Sequence, residues 1–436
     1  MAYRKVNDTS LASVADAIRA KGGTSDALVF PDGFVSAISA IQTGGGGGGT
    51  TAPSAKWNDV TFIDYDGTVL YSYSLTEAQA LAELPALPTH DGLVCQGWNL
   101  TLDAIKALNR PVTVGAMYIT DDGATRLHIR IATVGRMTVP LYIGQTVANG
   151  VSIDWGDGSA AETLAGTGNV NTSHTYAEPG DYVISLMPED GCTLSFGKNS
   201  SGYCVMGKTG GYGTAYCNML QDVSIGKNVK YIVKYAFNRC YSLASITIPG
   251  SVTSISDSAF DSCYSLASIT IADGVTSIGS GAFNSCYSLA SITIADGVTS
   301  IGSGAFNSCH SLASITIPGS VTSIGNTAFL RCDSLASITI ADGVTSIGDG
   351  AFNSCYSLAS ITIPGSVTSI GNTAFVYCYG MRYYDFSACT AIPALSSTNA
   401  FNGIQSDCQM LIPAALYDEW RAATNWATYA SYMVAV

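Results

Sequence analysis

The sequence has few charged residues and few histidines, and it lacks long apolar runs. Charged side chains make up 12% of its 436 residues, against about 25% in an average soluble protein. Only four histidines are present, and none lies in a recognisable catalytic motif, so we predict no catalytic residues and no enzyme activity. No apolar run reaches the length of about 18 residues that a membrane helix needs, so we expect no membrane insertion.

Positive charge is also scarce. The formal net charge is -13, the wrong sign for a protein that gains affinity by neutralising phosphates, so nucleic acid is not an expected partner. The first ten residues, MAYRKVNDTS, are polar and lack the apolar segment of a secretory signal. If the protein acts outside a cell, we expect it to leave by another route, such as cell lysis.

What the chain has in abundance is a repeat of 23 residues. The cysteines from Cys217 to Cys378 follow one another at this period, as do the Ala-Phe pairs that begin at residues 236 to 374. Within each unit, S-I-T-I alternates apolar and hydroxyl residues, which predicts a half-buried strand, and A-F-x-x-C-x-x-L predicts a short helical turn. Stacked units bury a continuous core that one unit cannot bury alone, so the sequence predicts a solenoid.

The repeat unit resembles the BspA-type leucine-rich repeat, a 23-residue variety of bacterial surface proteins, some parasites and phage genomes. We predict the solenoid over residues 196–400. After Cys378 the repeat degenerates, and Trp420 and Trp426 follow at helix-like spacing. A solenoid needs a cover on its last turn, so we predict a C-terminal cap over 401–436.

Upstream of the repeats, the sequence carries the motifs DWGDG (154–158), HTY (174–176) and GDYV (180–183). The first motif predicts a tight turn between strands, and the other two flank a Pro-Gly turn. Together they resemble a PKD domain, a small Ig-like β-sandwich. The resemblance implies a PKD-like sandwich over 131–195.

Further upstream, residues 60–75 contain an Asp-Gly hairpin signal, and 84–99 form a Pro-bounded loop followed by a strand. These segments resemble the Listeria-Bacteroides repeat of surface proteins, which implies a small β-grasp-like module over 57–130. A helical insertion from Leu100 to Asn109 departs from that family's pattern.

The N-terminus differs in kind. Residues 11–20 and 32–41 have the pattern of two short helices, and Gly44 to Gly49 form an uninterrupted glycine run. We predict a helical anchor-like segment over 1–43 and a Gly-rich linker over 44–56. The segment resembles N-terminal parts of phage and prophage tail proteins, which implies that it attaches to other virion proteins. The predicted fold class is therefore mainly β and multidomain: a small helical N-terminal unit, a β-grasp-like module, an Ig-like sandwich and a C-terminal leucine-rich-repeat solenoid.

Cysteines and aspartates are the residues that suggest metal or redox chemistry. The repeat cysteines suit core packing, because free Cys behaves as a small buried hydrophobe; disulfides or a metal site are the alternatives. Asp64, Asp66, Asp154 and Asp157 offer carboxylates to calcium, but Asp-Gly is first a turn signal. We assign no metal ligand and no cofactor.

Two surface arrays are candidate binding sites. One is a grid of hydroxyls on the strand face, and the other is the position after each repeat cysteine, which is mostly Tyr. Aligned Tyr side chains can stack on sugars or fill pockets on a partner; the alternative is a solubility face with tyrosines that cover the coil edges. The candidate ligand-binding residues are Tyr241, Tyr264, Tyr287, His310, Asp333, Tyr356, Tyr379, Ser268, Thr270, Ser291, Thr293, Ser314 and Thr316.

These features predict a phage tail fibre or virion adhesin, located in the virion, whose solenoid binds a bacterial cell-surface glycan or protein. A virion structural or decoration protein that contacts other particle proteins is an alternative, and a bacterial surface adhesin is another. The oligomeric state stays open between a monomer and a homo-oligomer, because no coiled-coil heptads are present.

Overall fold

The computed structural model describes residues 59–64, 68–89, 95–98, 100, 102–108, 112–118, 123–132, 134–197, 203–208 and 214–436. The predicted helical segment 1–43 and the linker 44–56 lie outside these residues. No helix in the described ranges has the length and apolar character to cross a membrane.

The first described unit is a four-stranded sheet of mixed direction. Its elements are β1 (Asp59–Ile63), β2 (Val69–Ser74), α1 (Leu75–Gln79), β3 (Cys95–Trp98), α2 (Leu102–Lys106) and β4 (Thr113–Tyr118). The strand order is β2-β1-β4-β3, with β1 and β4 parallel in the centre. Phe62, Trp98 and Ile105 are buried together in its core. The helix α2 lies inside the segment 100–109 for which the sequence predicts a helical insertion.

The second unit is a sandwich of two antiparallel layers. Its elements are β5 (Thr125–Ile131), a 3-10 turn (Val134–Arg136), β6 (Thr138–Gln145), β7 (Val151–Asp154), β8 (Glu162–Thr163), β9 (Gly168–Thr175), β10 (Gly180–Pro188) and β11 (Leu194–Phe196). One layer is β11-β6-β9, and the other contains β5-β10-β7-β8. Alternating residues of β5 and β6, such as Leu127, Ile129 and Leu141, are buried between the layers. The predicted module boundary at 130/131 therefore falls inside β5, which pairs with β10 of the sandwich.

A short hairpin and a helix connect the sandwich to the solenoid. They are β12 (Tyr203–Cys204), β13 (Gly207–Lys208) and α3 (Thr214–Cys217). The amide of Tyr142 donates to the carbonyl of Val205, and the amide of Val205 donates to the carbonyl of Ala236. The hairpin thus lies between the sandwich and the first repeat turn.

The solenoid is built from about nine turns, and most turns contribute one longer and one shorter strand. The longer strands are β14 (Leu220–Ser224), β16 (Ser245–Ile248), β18 (Ser268–Ile271), β20 (Ser291–Thr293), β22 (Ser314–Ile317), β24 (Ser337–Ile340), β26 (Ser360–Thr362), β28 (Tyr383–Asp385) and β30 (Gln409–Ile412). The shorter strands are β15 (Tyr231–Ile232), β17 (Ser254–Ile255), β19 (Ser277–Ile278), β21 (Ser300–Ile301), β23 (Ser323–Ile324), β25 (Ser346–Ile347), β27 (Ser369–Ile370) and β29 (Ala394–Leu395). Paired strands are parallel, and repeat-equivalent residues stand opposite each other, as Ser245 stands opposite Ser268. The prediction of a β-rich chain with a C-terminal solenoid is confirmed.

The segment before each longer strand is a series of tight turns, so the prediction of a short helical turn is wrong in conformation. The amide of Cys263 bonds to the carbonyl of Phe260 within its own turn, while the amide of Phe260 bonds to Ala282 of the next turn. Ser262 between them has a φ of +62°, which interrupts a right-handed helix. The inward positions were predicted correctly, because the Ala, Phe, Cys and Leu of this segment are buried.

The solenoid sheet continues directly into the sandwich. β14 pairs in parallel with β16 and antiparallel with β5, where Asp222 stands opposite His128. One eight-stranded sheet therefore runs in the order β20-β18-β16-β14-β5-β10-β7-β8. Because β5 covers the first solenoid strand, the edge at the start of the solenoid is paired rather than open.

At the other end, the chain folds back over the last turns. This part consists of a 3-10 turn (Ala414–Leu416), α4 (Tyr417–Ala422), a second 3-10 segment (Trp426–Tyr432) and β31 (Met433–Ala435). β31 pairs in parallel with β30, and Trp420 and Trp426 are buried against Phe386. The elements from 414 to 435 thus pack on the end of the solenoid core, whereas β30, which lies inside the predicted cap 401–436, is the last longer strand of the solenoid itself.

Candidate functional site

The residues that follow the repeat cysteines form one column along the solenoid, because each turn repeats the last in register. The rings of Tyr241 and Tyr264 are stacked with centroids 4.6 Å apart and planes 5° apart. Tyr264 and Tyr287 repeat this arrangement at 4.7 Å and 6°. These distances match the spacing of about 4.7–4.9 Å between neighbouring strands.

Such close stacking decides which parts of these three tyrosines a ligand can reach. The facing surfaces of Tyr241, Tyr264 and Tyr287 cover each other, so a sugar ring cannot stack between them. Their edges and hydroxyls remain accessible, and Tyr264 and Tyr287 are 37% and 40% exposed. Burial and the neighbouring Tyr264 raise the pKa of Tyr241, so its hydroxyl stays protonated at neutral pH. This part of the column offers a row of hydroxyls rather than aromatic faces.

A histidine and an aspartate interrupt the column of tyrosines in its middle. The ring of His310 lies 5.1 Å from that of Tyr287 at an angle of 31°. On its other side, His310 Nδ1 lies 2.8 Å from Asp333 Oδ2. Both side chains are about one-third exposed, so the two variant positions of the column lie side by side at the surface.

Tyr356, Tyr377 and Tyr379 form a second group of rings at the C-terminal end of the column, called here the C-terminal tyrosine patch. The rings of Tyr356 and Tyr379 are 6.0 Å apart, and those of Tyr377 and Tyr379 are 5.7 Å apart and tilted by 42°. These separations are wider than in the first group, and all three side chains are 43–48% exposed. Gly403 faces this group: a Cβ at its position would lie 3.2 Å from Tyr377 and 3.4 Å from Tyr379.

The hydroxyl grid lies on the outer face of the longer strands. Ser268 stands opposite Ser291, and Thr270 stands opposite Thr293. Thr270 and all four grid residues of β20 and β22 (Ser291, Thr293, Ser314 and Thr316) are exposed, whereas Ser268 is half-buried. Next to Ser268, Ala267 is buried against the apolar residues of the first sheet. The accessible part of the grid therefore begins at about β20.

In the C-terminal turns of the solenoid, Tyr377 and Tyr383 are exposed but were not among the predicted site residues. Tyr377 precedes a repeat cysteine, where most turns have Ser or Arg, and Tyr383 stands opposite Ser360 in the serine row of the grid. Tyr383 is 47% exposed. Both positions depart from an otherwise regular repeat, and that departure was the available signal.

The repeat cysteines are core residues, which confirms the packing interpretation. From Cys263 to Cys378, each repeat thiol is buried and donates to a Phe carbonyl oxygen of the preceding turn at 3.1–3.3 Å. Burial raises the pKa of Cys309 well above its ordinary value, so the thiol keeps its proton and acts as the donor. Cys204, Cys217 and Cys240 are arranged differently, with their sulfur atoms within 4.8 Å of one another.

The sandwich motifs pack against one another. Trp155 and His174 are stacked at 5.0 Å, and His174 Nε2 lies 2.7 Å from Asp157 Oδ2. Burial would raise the pKa of Asp157, but hydrogen bonds from Ser159 and His174 outweigh it and lower that pKa. Asp154 and Asp157 each accept an amide of their own turn, from Gly156 and Ser159. These carboxylates therefore stabilise the turn, as the Asp-Gly interpretation predicts, and His174 holds a packing position.

The chain was compared with known proteins in sequence and in structure. The family model described as "BspA type Leucine rich repeat region" matches six copies over residues 210–336 and 253–382. No protein with a curated description matches the chain in sequence.

Several solved structures match part of the chain. A leucine-rich cell surface protein of Faecalibacterium prausnitzii is 30% identical over 45% of this chain and 60% of its own, with a TM-score of 0.30. A leucine-rich repeat protein of T. pallidum is 33% identical over 37% of this chain and 84% of its own, with a TM-score of 0.33. This chain thus spans 60% of the length of the Faecalibacterium protein. The family model agrees with the 23-residue register seen in the strands, so residues 210–382 contain BspA-type leucine-rich repeats.

Proposed function

We propose that the protein is a non-enzymatic adhesin whose solenoid binds a glycan or protein on a bacterial surface. The observation that carries the proposal is the C-terminal tyrosine patch, in which three large aromatic side chains are each more than two-fifths exposed. Tyrosine combines an apolar ring with a polar hydroxyl, and aromatic residues are enriched at binding interfaces. Single exposed apolar residues are common, but a cluster of them is typical of an interaction site.

The hydroxyl grid supports the same proposal. Its Ser and Thr side chains repeat at one-strand intervals on a sheet whose register is identical from turn to turn. A regular array of hydroxyls suits a ligand that itself repeats polar groups, such as a surface polysaccharide. Each contact is weak, so we expect affinity to come from several contacts made at once.

For the protein's location, we propose the tail of a phage particle, with residues 1–43 attached to other virion proteins. The support is the sequence resemblance of that segment and the glycine run that follows it. A bacterial cell surface is the second location, which the description of the Faecalibacterium protein gives for that protein. Immunogold labelling of purified particles and of intact producing cells distinguishes the two locations.

The binding proposal is tested with purified full-length protein and intact bacteria of candidate hosts. Point variants are preferable to a truncation, because removing the solenoid would leave β5 without its partner β14. We expect the triple variant Y356A/Y377A/Y379A to lose at least about tenfold in affinity, which corresponds to about 1.4 kcal/mol. The matched control is Y231A, since Tyr231 is also exposed but lies on the shorter strand β15 at the other end.

Two outcomes would count against the proposal. If the triple variant binds the same cells as tightly as Y231A does, the C-terminal tyrosine patch is not the binding site. If the full-length protein binds no host cells and is found embedded in particles, the virion structural role replaces the adhesin role.

A further inference from the structure

Three buried cysteines meet where the solenoid begins. Cys204 lies at the end of β12, Cys217 is the last residue of α3, and Cys240 belongs to the first full repeat turn. All three are fully buried, and their sulfur atoms lie within 4.8 Å of one another. This group sits beneath the hairpin that lies between the sandwich and the solenoid.

These cysteines differ from the later ones in what their sulfurs contact. From Cys263 to Cys378, each repeat thiol donates to the Phe carbonyl that lies 26 residues earlier. The corresponding position for Cys240 is Thr214, in α3, and its sulfur instead lies beside Cys204 and Cys217. Cys204 does not belong to the 23-residue repeat, because it lies in the hairpin before the solenoid.

The distance between two of the sulfurs indicates what the group does. Cys204 Sγ and Cys217 Sγ are 2.6 Å apart. Two thiolates that share a tetrahedral zinc ion with bonds of about 2.3 Å would lie about 3.8 Å apart. The observed separation is much nearer to the sulfur–sulfur bond of about 2.05 Å, so the geometry favours a covalent pair over a shared ion.

We propose that Cys204 and Cys217 form a disulfide when the chain folds in an oxidising environment, with a small disulfide such as oxidised glutathione as the oxidant. The bond would fasten the hairpin to the helix that precedes the first repeat turn. Because the folded protein buries both thiols, the reaction takes place during folding, before the sandwich and the solenoid close over them. Folding outside the cytosol, as for a protein of the bacterial surface, provides such an environment.

The reaction balances as two thiol–disulfide exchanges. The Cys217 thiolate attacks one sulfur of oxidised glutathione, forming a mixed disulfide and releasing one glutathione thiolate. The Cys204 thiolate then attacks the Cys217 sulfur, forming the protein disulfide and releasing the second glutathione. The protein loses two electrons and two protons, and oxidised glutathione becomes two molecules of glutathione.

The test starts from full-length protein that is unfolded with reductant and refolded in a glutathione buffer. The product is denatured and labelled with N-ethylmaleimide. Mass spectrometry of the intact protein then counts the labels, and peptide mapping locates them. We expect two fewer labels than the thirteen cysteines allow, with a linked peptide that joins Cys204 to Cys217. The variants C204S and C217S should be labelled at every remaining cysteine. The control C286S removes an equally buried repeat thiol and should still leave two cysteines unlabelled.

The wild-type peptide map decides the question even if a variant fails to fold. Thirteen labels after oxidative refolding would overturn the proposal, and so would a linked peptide that joins any other pair, including one with Cys240. Refolding with added Zn²⁺ is the third arm: an ion retained at one per chain together with thirteen free thiols would establish a metal site instead. These outcomes do not depend on whether the protein binds bacteria.

Discussion

Cys309 donates its thiol hydrogen to the carbonyl oxygen of Phe283 in the preceding turn, with the sulfur 3.3 Å from the oxygen. The same oxygen already accepts the amide of Cys286 within its own turn. A carbonyl has two lone pairs, so the thiol occupies the second one and links successive turns inside the core. This relationship explains why a small residue with a donor recurs at every 23rd position.

The first prediction concerns this bond. We expect C309A to lower the free energy of unfolding by about 1–2 kcal/mol, because it removes a hydrogen bond and leaves a small cavity. Guanidinium denaturation followed by circular dichroism measures the effect. The control is S303A at an exposed position of the same turn; equal midpoints for the two variants would show that the thiol contributes nothing.

The second prediction compares two glycines of one turn. A Cβ on Gly302 would lie 2.5 Å from the amide nitrogen of Ser280 and 2.6 Å from the carbonyl carbon of Gly279. Backbone atoms of the preceding turn cannot move away easily, so we expect G302A to cost about 1–3 kcal/mol or more. A Cβ on Gly304 would make only an ordinary contact, 3.7 Å from Thr327 Oγ1, but Gly304 has a φ of +64°, so G304A should cost about 1–2 kcal/mol.

The same denaturation experiment decides between these two effects. If G302A is no more destabilising than G304A, the close approach of successive turns is not what requires the first glycine. The midpoints of the two variants can be compared directly, because both glycines lie in the middle of the array, where each turn contacts a similar turn on either side.

Much of the solenoid could be predicted from the repeat alone. The period placed equivalent residues such as Ser268 and Ser291 opposite each other, and it identified the buried positions. The left-handed conformation of Ser262 could not be predicted, since serine rarely adopts it and the spacing of apolar residues also fits a helix. The pairing of His128 with Asp222 was missed for a different reason: it joins strands far apart in sequence, and periodicity carries no information about such contacts.

The candidate site was predicted less completely than the fold. The repeat predicted which residues lie in the column. It did not predict how far apart their rings are, because the separations that distinguish Tyr264 from Tyr379 depend on local departures from the repeat. The wider spacing at the C-terminal end accompanies Tyr377 and the close approach of Gly403. A repeat pattern describes the regular turns and says least about the irregular ones, where the proposed contacts lie.

The third prediction is a dependence on pH that comes from Asp181. His128 Nε2 and Arg130 Nε lie 3.2 and 2.9 Å from the same Asp181 oxygen. Burial would raise the pKa of Asp181, but the hydrogen bonds from His128 and Arg130 outweigh it and hold the pKa below its ordinary value. A carboxyl whose pKa is lower in the folded state stabilises the protein fully when the pH is above the pKa of the unfolded state. This stabilisation is lost as the pH falls through the pKa of the folded state.

We therefore expect D181N to lower the urea midpoint at pH 7. The urea midpoints at pH 7 and pH 3 should also differ less for D181N than for the wild type. Urea denaturation at both pH values provides the measurement. The matched control is D342N in an exposed Asp-Gly turn of the solenoid, which should keep the wild-type difference. If D181N also keeps it, Asp181 does not couple stability to pH.

The fourth prediction concerns the segment that packs on the last turns. Trp426 is buried, stacks edge-on against Phe386 at 5.3 Å and donates its indole N–H to the carbonyl of Pro393 at 2.8 Å. Replacing a buried Trp by Ala lowers the free energy of unfolding by about 3–5 kcal/mol. We expect a loss of this size to exceed the stability of the elements that pack on the last turn. We expect W426A to detach β31 from β30 and leave the edge of β30 unpaired.

An unpaired parallel edge can pair with another chain, so the loss should appear as association and not only as lower stability. We expect W426A to form soluble aggregates whose size rises with protein concentration in light scattering, and to bind a hydrophobic dye that the wild type does not bind. The matched control is T428A, an exposed position of the same 3-10 segment. Monodisperse W426A protein with the midpoint of T428A would show that the solenoid end is stable without this cover. In that case residues 414–436 would be free to serve another purpose, since their tryptophans would no longer be needed to protect the edge of β30.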